Sequence, residues 1–313
     1  AYFDGIVGGL LDTFSHNGDI LGIPWNNDTR FFFYNERVLK DAGFESPPAT
    51  WDEVLEQSRA LQEQGLAYPI AEYWNQEWAL ANSIAFYLYS FGADYIDDQG
   101  NITIDKSPAV DALAFMVEML RDTKIVDPSS VTLSQEAAAD LFYRGSSAFF
   151  FQGPAVTFSY ANDPDYSSVI GEVKAASWLP AANPETQTTL TLPEAFAIPK
   201  TSRNKEAAWK YIEFMISPEK DKERADALGS LPLFNSLYKD PDLLTKYPYW
   251  EQFGEQSAKA KPLLQVEWYD ELVQTTIVAV QRALLGMVTP QEAADQIADF
   301  MVGLEVDGVP LVR

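Results

Sequence analysis

The sequence predicts an α/β protein. Three observations carry this: helix-start signals recur along the chain, short apolar runs too brief for helices lie between them, and 313 residues exceed one ordinary domain. Phe31 to Tyr34 is the first such run and reads as a strand whose three phenylalanines are core. Thr50-Trp51-Asp52-Glu53 is a capping box ahead of Val54, Leu55, Ala60 and Leu61, with Gly65 placed to stop the helix. DYIDDQGNITI predicts a hairpin turning near Gln99 to Asn101. Ser107-Pro108 places a cap before a proline at the first helical position, and Val110, Leu113, Ala114, Val117 and Leu120 form one apolar stripe. Ala148 to Phe151 and Phe196 to Ile198 are two further strand-like runs. Helical spacing returns at 202–216, at 270–285 before Gly286, and behind a second capping box, Thr289-Pro290-Gln291-Glu292, at Ala293, Ala294, Ile297 and Met301. Strands alternating with helices predict a largely parallel sheet. No internal repeat or low-complexity linker interrupts the pattern.

Composition removes several function classes. Lys plus Arg number 22 against 46 Asp plus Glu, and a net charge of −24 repels nucleic acid and anionic lipid. With no Cys and one His, the chain can build no disulfide frame, thiol nucleophile or multi-histidine metal site, and no cofactor is implied. His16 sits in the loop-like FSHNG, and no G-x-S-x-G elbow is present for a serine triad. No apolar stretch is long enough to span a bilayer.

The chemistry-bearing segments set aromatic rings among polar side chains. Trp25 is flanked by Asn26, Asn27, Asp28 and Thr29, with Arg30 next; Trp74 and Trp78 bracket Asn75, Gln76 and Glu77; Gln152 follows AFFF; Trp268 and Tyr269 precede Asp270. That mixture suits a sugar, whose C–H-rich face packs on a ring while its hydroxyls pair with amides and carboxylates. Each element also has a packing explanation. Trp74 and Trp78 are four apart, so one can be core, and Trp74, next to Asn75 and Gln76, is expected to be the exposed one. Asp270 and Glu271 also favour a helix start electrostatically.

GDILGIPWNNDTRFFFYNERVLKDAGFESPPATWDEV resembles the diagnostic stretch of the family 1 extracellular solute-binding proteins of ABC importers, and similar segments follow in order: YWNQEW, YSFGADYIDDQGN, LFYRGSSAFFFQGPA, LPEAFAIPKTSRNKEAAWKYIEFMISPE, GSLPLFNSLYKDP and ALLGMVTPQEAADQIADF. The resemblance covers essentially the whole chain. It implies the type II periplasmic-binding-protein fold: two α/β lobes joined by crossing strands, a sugar between them, and a permease that receives the loaded form. On that plan 1–29 and 196–233 belong to the N-terminal lobe, and 30–195 and 234–313 to the C-terminal lobe. Gly22 to Pro24 leaves one lobe, Trp25 to Arg30 faces the cleft, and LPEAFAIP is the return crossing that brings Glu194 there. The aromatic–polar clusters and the resemblance together make Trp25, Asn27, Asp28, Arg30, Trp74, Gln76, Gln152, Glu194, Trp268 and Tyr269 the expected ligand-binding residues. It implies no catalysis, a monomer without nucleic acid, and a periplasmic or extracellular place that is compatible with a lipid anchor.

Three departures mark this chain. Pro193-Glu194 stands where many relatives have a glycine pair, and Ala155 stands where maltose-binding relatives carry a stacking Trp after Gly-Pro. Roughly 90 to 100 residues normally precede the G-x-P segment, enough for the opening strands and helices of a lobe, so the resemblance implies an N-terminal lobe lacking them. The apolar faces around Trp209, Ile212 and Met215 are then expected to meet water, at about 25 cal/mol per Å². Two other functions remain open at this point. A glycoside hydrolase needs two carboxylates across one bond, with Asp28, Glu194 and Asp270 as candidates. The same fold with a polyol or glycerol phosphate ester has Arg30 as its nearby cation.

Overall fold

A computed structural model describes residues 3, 5–7 and 9–313. The strands that organise it are β1 (Ile23–Asn26), β2 (Arg30–Asn35), β3 (Phe149–Pro154), β4 (Val173–Ala175) and β5 (Glu194–Phe196). Helices that pack around them include α1 (Trp51–Glu63), α2 (Trp78–Ser90), α3 (Ala109–Val117), α4 (Lys205–Met215), α5 (Pro218–Leu228), α6 (Trp250–Ser257), α7 (Tyr269–Leu284) and α8 (Pro290–Met301).

The strand β2 explains why three phenylalanines stand in a row. Side chains alternate across a sheet, and Phe31, Phe32 and Phe33 are all fully buried. Phe32 joins one hydrophobic core, with Phe149 and Phe151 of β3, while Phe31 and Phe33 join a second, with Phe150. Phe32 meets Phe151 at 4.7 Å between ring centroids, and on the other face Phe31 stacks on Phe253 of α6 at 3.8 Å. One sheet therefore separates two cores. The first gathers α1, α2, α3, α7 and α8; the second draws in Ile6, Val7, Leu10 and Ile23 with Ile212, Leu231 and Trp250.

The sheet order is β3-β2-β4, and both pairings are antiparallel. This corrects the expected largely parallel sheet. Among the described residues parallel pairing occurs at isolated bridges, such as Ile70 with Phe149 and with Val126. A doubly buried strand reads as a continuous apolar run whichever way its neighbours run, so the pattern in Phe31 to Tyr34 carries no direction.

The local helix signals are realised where they depend on neighbours in sequence. Thr50 caps α1 by accepting from the Glu53 amide, and the Glu53 carboxylate takes the Ala49 amide at 2.7 Å. Both halves of the capping box form at Thr289 and Glu292, and α8 buries Ala293, Ala294, Ile297 and Met301. The hairpin turn also forms: the Asp97 amide donates to the Asn101 carbonyl at 2.9 Å, and Ile96 pairs with Ile102. The start of α3 differs, because Pro108 is its N-cap and the Ser107 hydroxyl bonds Asp111. Its buried stripe is rotated too: Ala112, Leu113, Met116, Met119 and Leu120 face the core while Ala114 is exposed. Phe115, Met116 and Met119 bury more apolar area than Val110, Ala114 and Val117 would. On α4, Ile212 is buried and Trp209 and Met215 are half-buried, whereas Tyr211 and Phe214 are exposed.

At Gly153 β3 approaches β2 so closely that an added Cβ would lie 2.8 Å from the Phe33 ring and 2.9 Å from Thr157 Oγ1. Gly153→Ala is expected to cost about 1–3 kcal/mol in chemical denaturation, the usual range for overpacking a core.

Candidate functional site

The candidate site is built where three passages of chain lie side by side. The Arg30 amide donates to the Leu190 carbonyl at 2.9 Å, the Leu192 amide to the Asp28 carbonyl at 2.6 Å, and the Thr189 hydroxyl to the Arg30 carbonyl. The Thr191 amide in turn donates to the Lys261 carbonyl at 3.0 Å, and the Lys261 amide to the Thr189 carbonyl at 2.8 Å. Two of these passages, the one leading into β2 and the one before β5, were expected. The third, around Lys261, is irregular and carried no periodic signal in the sequence.

Beside this band lies a groove of about 340 Å³. The segment 7–13 and the segment 257–265 form its walls, with Asn27 and Thr191 from the crossing passages between them. Its polar lining is Asp12, Thr13, Asn27, Thr191, Ser257 and Gln265, and among the described lining residues there is no Lys or Arg. Gln265 also ties the two walls together, donating to the Thr13 carbonyl at 3.0 Å. Hydroxyl, amide and carboxylate groups without a cation can pair with the hydroxyls of a neutral ligand. Asp12, Thr13, Thr191, Ser257 and Gln265 were missed from the sequence because they stand in no aromatic cluster.

Asn27 is itself oriented rigidly. Its amide nitrogen donates to the Tyr238 hydroxyl at 2.8 Å, its amide oxygen accepts from Thr29 Oγ1 at 3.1 Å, and the Tyr238 hydroxyl donates to the Pro232 carbonyl at 3.0 Å. Asp28 accepts from Arg30 Nη2 at 2.8 Å, and Arg30 Nη1 reaches Gln135 at 3.1 Å. Burial raises the Asp28 carboxyl above its usual range; Arg30 opposes that shift, and Glu194 close by adds to it. Asp28, Arg30 and Glu194 are therefore neighbours, as the crossing pattern predicts.

Trp25 joins them through a bulge. Strands β1 and β5 are antiparallel, with Pro24 opposite Ala195 and Asn26 opposite Glu194, so Trp25 is the extra residue. Bulges re-aim a side chain. The half-buried indole lies 5.8 Å from Phe196, and the Arg224 guanidinium sits over it at 5.6 Å. Arg224 pairs with the fully buried Asp221 of the same helix, which also accepts from the Leu233 and Phe234 amides at 2.8 and 3.2 Å.

The other sequence candidates lie elsewhere. Trp74 is fully buried and Trp78 is 60% exposed, the reverse of the expectation. The cause is Ser83, whose Oγ accepts the Trp74 indole N–H at 3.0 Å, together with an edge contact to Tyr87 at 6.1 Å; Trp78 opens α2 with no such partners inside. Gln152 is also fully buried, with φ of 59° at the irregularity between β2 and β3. Its amide nitrogen donates to Ser83 Oγ at 3.1 Å and its amide oxygen has no partner, so this side chain belongs to a buried polar network and does not meet solvent. Gln76 is exposed on the loop before α2. Trp268 is half-buried at the start of α7, donating to the Glu305 carbonyl at 3.0 Å and packing edge-on against Phe300; burial and Asp270 push Tyr269 up to about 12.

The same network holds Glu72, fully buried, whose Oε1 accepts from the Tyr87 hydroxyl at 2.7 Å while Oε2 has no partner. Burial pushes this carboxyl up to about 8. Among the described residues no cluster of His, Asp and Glu is arranged to hold a metal ion.

With this geometry in hand, the relatives are informative. Residues 2–222 match the model of the bacterial extracellular solute-binding protein family. The chain belongs to that family. Maltose-bound MalE3 of T. maritima superposes with a TM-score of 0.88 at 27% identity, over 96% of this chain and 77% of that one. A probable ABC transporter-binding protein of Deinococcus radiodurans is 26% identical over 74% of this chain and 56% of its own length. The sn-glycerol-3-phosphate-binding periplasmic protein UgpB of Shigella flexneri is 25% identical over 90% of this chain and 66% of its own. The chain thus spans under two thirds of the length of these two curated relatives. The two-lobe α/β architecture expected from the sequence is that of the family's solved members.

Proposed function

We propose that this chain captures a di- or oligosaccharide between its lobes, outside the cytoplasmic membrane, and delivers it to an ABC permease without chemically altering it. The observation that carries this reading is the cation-free groove beside the crossing passages, walled by 7–13 and 257–265, with Asn27 held by Tyr238 at its edge. Clefts at domain junctions are where small-molecule sites concentrate. On this reading 1–29 with 196–233 and 30–195 with 234–313 are the moving bodies. Closure is a hinge at the three passages, driven by contacts that exist only when both bodies touch the ligand. Trp25 and Glu194 are the ligand groups contributed by β1 and β5; Trp268, Tyr269 and Gln76 would act only in the closed form. Trp74 and Gln152, sealed inside on Ser83, are not ligand groups on this reading.

A polyol satisfies the same groove, whereas a glycerol phosphate ester finds no free cation there, since Arg30 is engaged by Asp28 and Gln135. A hydrolase reading has neighbouring carboxylates in Asp28 and Glu194, but Asp28 is held by Arg30. Isothermal titration with maltose, maltotriose, ribitol and sn-glycerol 3-phosphate tests the proposal. Heat of binding is expected with a saccharide, which is recovered intact after long incubation, and Asn27→Ala should weaken it roughly tenfold by removing a preorganised hydrogen bond. No binding by any saccharide, or cleavage of one, defeats the reading.

A further inference from the structure

We infer that a groove at the C-terminal end of α7 is a second binding site, for a small amphiphilic anion with an apolar body and a terminal carboxylate or phosphate. Its volume is about 560 Å³; Leu120, Val131, Leu284 and Leu285 supply apolar walls, and Arg121 and Lys124 are its charged residues. No carboxylate lines it. In a chain with 46 acidic and 22 basic residues, that is the opposite of the prevailing surface.

Two unusual backbone features shape the segment that carries these cations. Arg121 stands in a π-helical turn, Glu118–Asp122, a rare conformation that recurs at functional sites. Lys124 has φ of 53°, a left-handed conformation that residues with a Cβ seldom adopt, and Gln62 donates to its carbonyl at 2.9 Å. Neither cation takes part in any ion pair among the described residues. Arg121 lies against Gly286, where an added Cβ would come within 2.5 Å of the guanidinium carbon. That position also suits a cation facing the last carbonyls of α7. A helix-end role accounts for Arg121 but not for Lys124, nor for the 44% exposure of Leu285 beside it. An apolar concavity with a few charged groups is the usual form of a small-molecule site, and a guanidinium paired with an ammonium selects an anionic end. The groove is distinct from the saccharide groove, because the two share no lining residue.

The test is titration calorimetry with octanoate, octyl phosphate and 1-octanol on the parent, Arg121→Gln and Lys124→Asn, the last chosen because Asn tolerates the left-handed backbone. Both anions are expected to bind the parent. Each substitution should weaken them tenfold or more, leave any octanol binding unchanged, and leave the thermal midpoint of the Lys124→Asn protein unchanged. The tighter of the two anions identifies carboxylate or phosphate as the preferred end, and maltose should not compete. The inference is overturned if neither anion binds at millimolar concentration, if octanol binds as tightly as octanoate, or if Lys124→Asn binds both anions as the parent does. Loss of stability in Arg121→Gln with unchanged anion binding would leave Arg121 a helix-end cation only and would likewise overturn it.

Discussion

Glu72→Gln is expected to stabilise the protein at pH 8 and to flatten its stability profile between about pH 4.5 and 8. The carboxyl is buried with one oxygen on the Tyr87 hydroxyl and the other without a partner, and burial raises it from 4.5 to about 8. The folded state therefore keeps a proton that the unfolded chain releases above about pH 4.5. Stability from this group is fully present below that pH and is lost as pH rises through the folded value, at about 1.4 kcal/mol per unit, so about 5 kcal/mol is the ceiling. Tyr73 and Tyr87, the titratable neighbours, are both shifted upward by burial and stay neutral throughout this range. Gln keeps the shape and the acceptor for Tyr87 without the charge. Urea unfolding at pH 5, 6, 7 and 8 should show the variant about as stable as the parent at pH 5 and roughly 2–4 kcal/mol more stable at pH 8. Asp28, Asp94 and Asp221 are also raised by burial, and Asp97, Glu172, Asp240 and Glu292 are lowered, so the parent profile is a sum. The difference between variant and parent isolates Glu72, and parallel profiles would refute the assignment.

How far the sequence could be read depended on how local the deciding interaction is. Thr50 and Thr289 were legible as helix starts because the groups they bond are three residues away. Phe31 to Phe33 were legible as a buried strand, but not its antiparallel neighbours, which arrive from Phe149 and Val173. Asp28, Arg30 and Glu194 were expected together from the crossing pattern, and they lie side by side. Trp74 and Trp78 were assigned the wrong way round, since Ser83, on the next helix, decides which indole N–H is satisfied inside. Gln152 looked like a ligand group because it follows a strand with a polar amide; its left-handed backbone turns it inward, and nothing in the local pattern announces that. The groove walls at 7–13 and 257–265 carry no periodicity at all, so their meeting is visible only in three dimensions.

Asp221→Ala is expected to cost about 3–5 kcal/mol, because it strips the counter-charge from a buried guanidinium. Asp221 is fully buried and satisfies three donors: Arg224 and the amides of Leu233 and Phe234. Arg224 is little exposed, and its Nε and Nη1 already lack partners, so the lost carboxylate has no substitute. Burial raises the Asp221 carboxyl and lowers the Arg224 guanidinium, both in the sense that the site tolerates charge only as a pair. Arg224→Met should cost less, since the carboxylate keeps its two backbone donors and the methionine stem still packs on Trp25. The double variant is then expected to be at least 1 kcal/mol more stable than the sum of the two single losses predicts, the signature of a coupled pair. The consequence reaches the ligand groove, because Arg224 is the lid over the Trp25 indole and the Leu233–Phe234 amides anchor the turn next to Pro232, whose carbonyl holds Tyr238 and through it Asn27. Saccharide affinity should therefore fall in Asp221→Ala and recover in part in the double variant. Losses that add within about 0.5 kcal/mol would mean that Asp221 and Arg224 act independently, and that the charge pair beside Trp25 is incidental to the site.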